Sequence, residues 1–292
     1  MIAPPARGRG KARKNLELID VAREILAEIR PASVRAVCYK LFTLGLIESM
    51  EKRCTDRVSI QLTWAREQGQ IPWEWIADDT RTIDRPPSWE SPDELLQAAA
   101  RQYRRDWWEQ QHVRVLLCSE KSTVAGTVKP VTERYGVGFL SLHGYSSATK
   151  AHDVAELSME DRRPLILLYI GDRDPSGMDM SERDLPRRID RYGGLATIER
   201  LALTSADVAD PRLPSFSADS KRKDARHPWF VATYGRRCWE LDALSPVTLR
   251  DRVEGRIRSL IDWPAWDRCA RIEDAERDTF NDVIARWREA RR

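Results

Sequence analysis

Two hydrophobic periods divide the chain. In its N-terminal part apolar residues recur at helical spacing. Leu18, Ala22, Ile25 and Ile29 follow one another by four, three and four, which predicts an amphipathic helix that Pro31 ends. Ser33 supplies an N-cap for a second helix through SVRAVCYKLFTLG, with Val34, Val37, Cys38, Leu41 and Leu44 as its apolar face and Gly45 at its close. A third helix near TDRVSIQLTWAREQG buries Val58, Leu62 and Ala65 and turns Arg57, Gln61 and Trp64 the other way. IPWEWIADD then reads as a short extended pair or wing. Residues 15–83 thus have the pattern of a winged-helix-like DNA-binding domain, with a small helical cap domain as the plainer alternative.

DRPPSWESP carries three prolines in nine residues, so 84–110 reads as a linker followed by a polar helix, DELLQAAARQYRRDWWEQQ. Beyond it the period changes. VRVLLCSE, GVGFLSLHGY, LILLYIGDRD and ATIERLALT are short apolar runs separated by crossover-length segments. Strands apolar throughout belong to a parallel sheet covered on both faces, so 111–245 is expected to be an α/β domain. Residues 246–292 read as C-terminal helices, with Leu249, Val253, Ile257 and Leu260 on one face.

At 292 residues the chain has room for about two domains. No stretch approaches the roughly 20 apolar residues of a membrane span, and no apolar leader opens the chain, which implies a cytoplasmic protein. The five cysteines, Cys38, Cys54, Cys118, Cys238 and Cys269, are widely spaced, which excludes a C-x-x-C zinc site and suits reduced thiols. Net charge is only +3, but the basic residues bunch. Arg7, Arg9, Lys11, Arg13 and Lys14 fall in or at a basic arm, residues 1–14, and Lys221, Arg222, Lys223 and Arg226 form a second cluster. Both suit a phosphate backbone. No P-loop is present, and His112, His143, His152 and His227 show no paired metal spacing.

The chemistry gathers at strand ends. Glu120 sits just past one apolar run, and Asp172 and Asp174 just past another, where open parallel sheets bind their ligands. Positions 172 and 174 share a side if the chain stays extended. Three crowded carboxylates raise one another's pKa unless a cation joins them, and Mg²⁺ is the hard ion that oxygen donors and phosphates share. DRDPSG also mimics the opening of an EF-hand, but its twelfth position is Arg183 and a strand precedes it, so calcium is rejected.

A Glu at one strand end and D-x-D at a later one resembles the toprim domain of topoisomerases, primases and some nucleases. GDRDPSGMDM resembles the form found in the A subunit of topoisomerase VI and its relative, the meiotic double-strand-break protein. CWELDAL at 238–244, KDARHPWF before it, and GYSS at 144–147 resemble further stretches of that family, and the likeness runs unevenly over 15–260. The resemblance implies that 111–245 is toprim-like, that Glu120, Asp172 and Asp174 are the metal ligands, and that Tyr39 is the nucleophile. In that family the tyrosine follows an upstream arginine, and SVRAVCYKL places Arg35 four residues before Tyr39. Cys38 stands where the family often has a second aromatic.

The expected activity is Mg²⁺-dependent cleavage of double-stranded DNA by tyrosine transesterification, as in a stand-alone Mini-A-like type IIB topoisomerase subunit. The resemblance implies a homodimer in which the tyrosine of one protomer meets the metal of the other, with a separate ATPase or strand-passage subunit as a further partner. Ser119, Lys121, Arg57, Arg226, Glu240 and Asp242 are candidates to bond the metal ligands from behind or to touch DNA. The alternatives are a hydrolytic toprim nuclease, resembling the nuclease subunit of the Wadjet defence system, and a non-catalytic DNA-binding protein.

Overall fold

The computed structural model describes residues 13–77, 86–142 and 148–289. Arg7, Arg9 and Lys11 of the basic arm, the GYSS stretch, His143 and the end of the expected wing lie outside the described residues. Helices α1 (Arg13–Ile29), α2 (Val34–Thr43) and α3 (Lys52–Glu67) enclose one core, in which the Leu18–Ala22–Ile25–Ile29 stripe meets Val37, Leu41, Val58, Leu62 and Ala65. The Ser33 hydroxyl caps α2 by accepting from the Ala36 amide at 3.1 Å.

Three local expectations fail here. Leu44 is exposed, because α2 stops at Thr43 and leaves it outside the helical register. Gln61 is buried, since 58, 61, 62 and 65 form one stripe at helical spacing. The described part of the expected wing is no extended pair. Trp73–Trp75 is a 3-10 turn behind Pro72, and Ile76 makes a single parallel bridge to Ala32. Arg66 holds this turn to α3, with its guanidinium 4.2 Å from the Trp73 ring centre and 2.9 Å from the Trp73 carbonyl.

Helix α4 (Pro92–Gln102) is capped by Ser91, whose hydroxyl accepts from the Glu94 amide at 3.2 Å. The polar helix expected through residue 111 ends at Gln102 instead. Aromatic packing takes the chain off the axis: Tyr103 lies against Phe280 and the Trp108 indole donates to the Tyr135 carbonyl at 2.7 Å.

The α/β part follows as β1 (Arg114–Ser119), α5 (Ala125–Tyr135), β2 (Gly138–Ser141), α6 (Ala148–Met159) and β3 (Leu165–Ile170). Next come α7 (Pro175–Asp179), a π-helical turn at Met180–Asp184, α8 (Leu185–Arg191) and β4 (Ala196–Ala202). The chain closes with α9 (Ser205–Ala209), the short pair β5 (Phe216–Ser217) and β6 (Arg237–Cys238) around α10 (His227–Tyr234), then α11 (Pro246–Leu260) and α12 (Trp263–Glu289). The four long strands form one parallel sheet, ordered β2-β1-β3-β4. Alternation along β3 feeds both faces. Leu165, Leu167 and Tyr169 join the core under α6 and α8, while Leu168 and Ile170 join the one under α5 and α11. This is why the strand sequence is apolar without interruption. Among the described residues no helix is long and apolar enough to cross a membrane.

Because β1 continues to β2 on one side and β3 to β4 on the other, the carboxyl ends of β1 and β3 border a switch point in strand order. The helical unit docks over this edge. Arg250 of α11 donates to the carbonyls of Ile29, Arg30 and Pro31 at 3.1–3.3 Å, which satisfies groups that the end of α1 leaves open.

Candidate active site

The aspartate loop is a tight backbone construction. Past Ile170, Arg173 pairs with Trp239 through both amides, at 2.9 and 3.1 Å, which keeps the segment extended. Asp174 then caps α7, with its Oδ1 accepting from the Gly177 amide at 2.9 Å and Pro175 opening the helix. A Cβ on Gly177 would stand 2.3 Å from the Asp172 carbonyl oxygen, and one on Gly171 would stand 2.8 Å from the Tyr169 hydroxyl. The glycines of GDRDPSG therefore serve close approach of backbone and ring.

The acids have distinct partners. Asp172 Oδ1 lies 2.9 Å from Lys121 Nζ and accepts from the Leu241 amide at 2.7 Å. Burial pushes the Asp172 pKa up to about 6, against the pull of Lys121 and of that amide. Asp174 Oδ2 pairs with Lys221 Nζ at 3.0 Å. Glu120 accepts from the Ser176 hydroxyl at 3.0 Å and has no ion pair among the described residues, and burial together with Asp174 raises its pKa. The three carboxylates share one edge, though their oxygens do not all close to within 4.8 Å of one another. The set of described residues that does so is His152, Asp153 and Glu156, exposed on α6.

Lys121 joins this loop to the segment after β6. Its ammonium also lies 3.0 Å from Asp242 and 3.9 Å from Glu240. Burial disfavours that charge, but the three acids outweigh burial and hold its pKa above the ordinary lysine value. Glu120, Asp172, Asp174, Glu240 and Asp242 outnumber their ion-pair partners Lys121, Lys221 and Arg35. Glu120, Asp172 and Asp174 offer the oxygen donors that a hard divalent cation takes, and would hold one where Lys121 and Lys221 give way to it.

The second wall is α2. Ser33 donates to Asp242 Oδ1 at 2.6 Å, and Arg35 makes a two-pronged ion pair with Glu240. That bond raises the Arg35 pKa, and the guanidinium stands 6.0 Å from the Tyr39 ring centre. Tyr39 is no phenol eased toward ionisation by its neighbouring arginine. Its residue is 6% exposed, and burial and then Glu240 raise its pKa, while Arg35 and Lys121 pull the other way with less effect. Arg35 spends its charge on Glu240. Tyr39 does line an open cleft of about 470 Å³, together with Lys40, Arg212, Pro214, Asp242 and Thr248.

The structure thus brings Arg35, Tyr39, Lys121, Asp172, Glu240 and Asp242 into one network, with Glu120 and Asp174 beside it. Ser119 is fully buried and accepts from the Lys121 amide at 3.2 Å, so it orients the lysine and is closed to DNA. Arg226 pairs with Asp224 at 2.6 Å, and its charge lowers the Glu120 pKa against burial. Arg57 bonds Asn15 at 2.8 Å and lines a groove with Lys14 and Arg53, apart from the network. Lys221 and Ser176 were not foreseen as site residues. Lys221 was visible only as part of a basic cluster, and Ser176 only as a small polar residue after D-x-D. No protein-family model and no curated protein matches this sequence.

Proposed function

We propose that this protein cuts double-stranded DNA by Mg²⁺-dependent transesterification, in the manner of a type IIB topoisomerase A subunit. One observation carries the reading: the helix bearing Arg35 and Tyr39 docks on the acidic rim, through Ser33–Asp242 and Arg35–Glu240, and Lys121 links that contact to Asp172. Within one chain the helix of the candidate nucleophile therefore adjoins the candidate metal ligands, whereas the resemblance implies that they meet across a dimer. Mg²⁺, when bound, neutralises charge on the non-bridging phosphate oxygens. The Tyr39 oxygen bonds to phosphorus as its proton passes to water, the bond from phosphorus to a deoxyribose oxygen breaks, and that oxygen takes a proton from solvent. Arg35, once a phosphate replaces Glu240, steadies the same oxygens. A break in both strands requires two such sites, which a homodimer supplies, and strand passage requires a separate ATPase subunit.

The burial of Tyr39 favours a second reading, hydrolysis by a metal-activated water with the tyrosine as a structural residue. Supercoiled plasmid with Mg²⁺ separates the two. Transesterification predicts cut DNA covalently bound to protein, no adduct with Tyr39→Phe, and no cutting with Asp172→Asn. Cutting that survives Tyr39→Phe without adducts establishes hydrolysis. A wild type that binds DNA but never cuts it with any divalent ion leaves a non-catalytic DNA-binding protein.

A further inference from the structure

Strand β4 holds a cation that the metal-site reading does not use. Arg200 Nη1 donates to the carbonyls of Gly171 at 3.1 Å, Asp172 at 3.2 Å and Ala202 at 3.3 Å. Its Nη2 donates to the Gly177 carbonyl at 2.5 Å and the Ser181 hydroxyl at 2.9 Å, and Nε reaches that hydroxyl at 3.2 Å. The guanidinium carbon lies 4.8 Å from the centre of the Tyr169 ring. One planar group therefore ties the end of β3, the first turn of α7 and the π-helical turn. Ser181 takes part from within that turn by donating to the Gly177 carbonyl at 3.1 Å.

The energetics single this arginine out. Among the described residues it has no carboxylate within ion-pair distance, and burial lowers its pKa. A buried guanidinium without a counter-ion is costly unless its donors are satisfied, and here backbone oxygens and a π face satisfy them. Those oxygens belong to Asp172 itself and to Gly177, the residue whose amide binds the Asp174 carboxylate. Lysine offers a point charge and cannot reproduce the planar fork.

We propose that Arg200 is a positioning residue for the divalent ion, fixing the backbone of the 171–177 loop so that Asp172 and Asp174 present their carboxylates together. The proposal rests on the reading of those acids as metal ligands. It is tested on the full chain by Mn²⁺ titration, followed by electron paramagnetic resonance, for wild type, Arg200→Lys and Ser181→Ala. Circular dichroism is recorded alongside. Arg200→Lys is expected to weaken Mn²⁺ binding by about 10- to 100-fold, the range for outer-shell partners of metal ligands. Ser181→Ala removes one anchor of the fork and is expected to cost less, about threefold on the same scale. In plasmid cutting, both variants should raise the Mg²⁺ concentration for half-maximal rate more than they lower the rate at saturating Mg²⁺. Wild-type Mn²⁺ affinity in either folded variant overturns the proposal. If Arg200→Lys does not fold, the Ser181→Ala titration decides it alone. A wild type that binds no Mn²⁺ removes the metal reading and this proposal together, whereas a normal wild type with unaltered variants removes this proposal only.

Discussion

The turn that carries Asp172 and Asp174 is shaped by backbone contacts, with Lys121 and Lys221 paired to its carboxylates, whereas the helix that carries Tyr39 meets the rim through side chains alone. On the aspartate side, the amide of Gly177 caps Asp174, the amide of Leu241 binds Asp172, and missing Cβ atoms at 171 and 177 let the turn close. On the tyrosine side, α2 meets the rim through Ser33–Asp242 and Arg35–Glu240, both made by side-chain atoms. A backbone-built turn moves only if the fold changes. Contacts between side chains exchange partners at small cost, and a phosphate is a natural substitute for Glu240 on an arginine. Under the proposed function, the difference suits a site in which the ion stays fixed while the nucleophile is released to DNA.

This contrast is broken most sharply at Asp172. Asp172→Asn is expected to lower Mg²⁺-dependent plasmid cutting by at least about a hundredfold, as when one charge-stabilising group is lost from an active site. Gly177→Ala tests the backbone side. A methyl group 2.3 Å from the Asp172 oxygen forces the turn apart, at an expected cost of about 1–3 kcal/mol in thermal or urea unfolding. Gly255→Ala, in the open surface of α11, serves as its opposite and should stabilise by up to about 1 kcal/mol. Glu240→Gln tests the side-chain side. It should cost about 1.5–3 kcal/mol, the scale of a hydrogen bond to a charged group, and speed hydrogen exchange in α2 while leaving the 171–177 turn protected. The smallest effect is expected at Lys223 in the basic loop. Lys223→Ala should weaken DNA binding evenly across sequences and lower the slope of affinity against salt by about 1.

Much of the frame was legible because burial on two faces leaves a plain mark. VRVLLCS and LILLYI read as interior strands, and acids directly after such strands fall where parallel sheets open to ligand. What stayed hidden depends on where long side chains reach. Lys121 and Lys221 are ordinary lysines in sequence, and only the folded loops decide that one bridges Asp172 to Asp242 while the other takes Asp174. Arg200 left a faint signal, as a cation in the apolar run ATIERLALT, but Glu199 beside it pairs with Arg256 and makes the run look like an amphipathic strand. The burial of Tyr39 was missed because it comes from docking between two units, which the period of α2 alone does not encode.

The most direct test is to digest the protein–DNA adduct formed with plasmid and Mg²⁺ and to find the nucleotide-bearing peptide by mass spectrometry. The account predicts a nucleotide on Tyr39 and on no other residue. DNA that is cut with the nucleotide on a different side chain, or with no modified peptide at all, contradicts it.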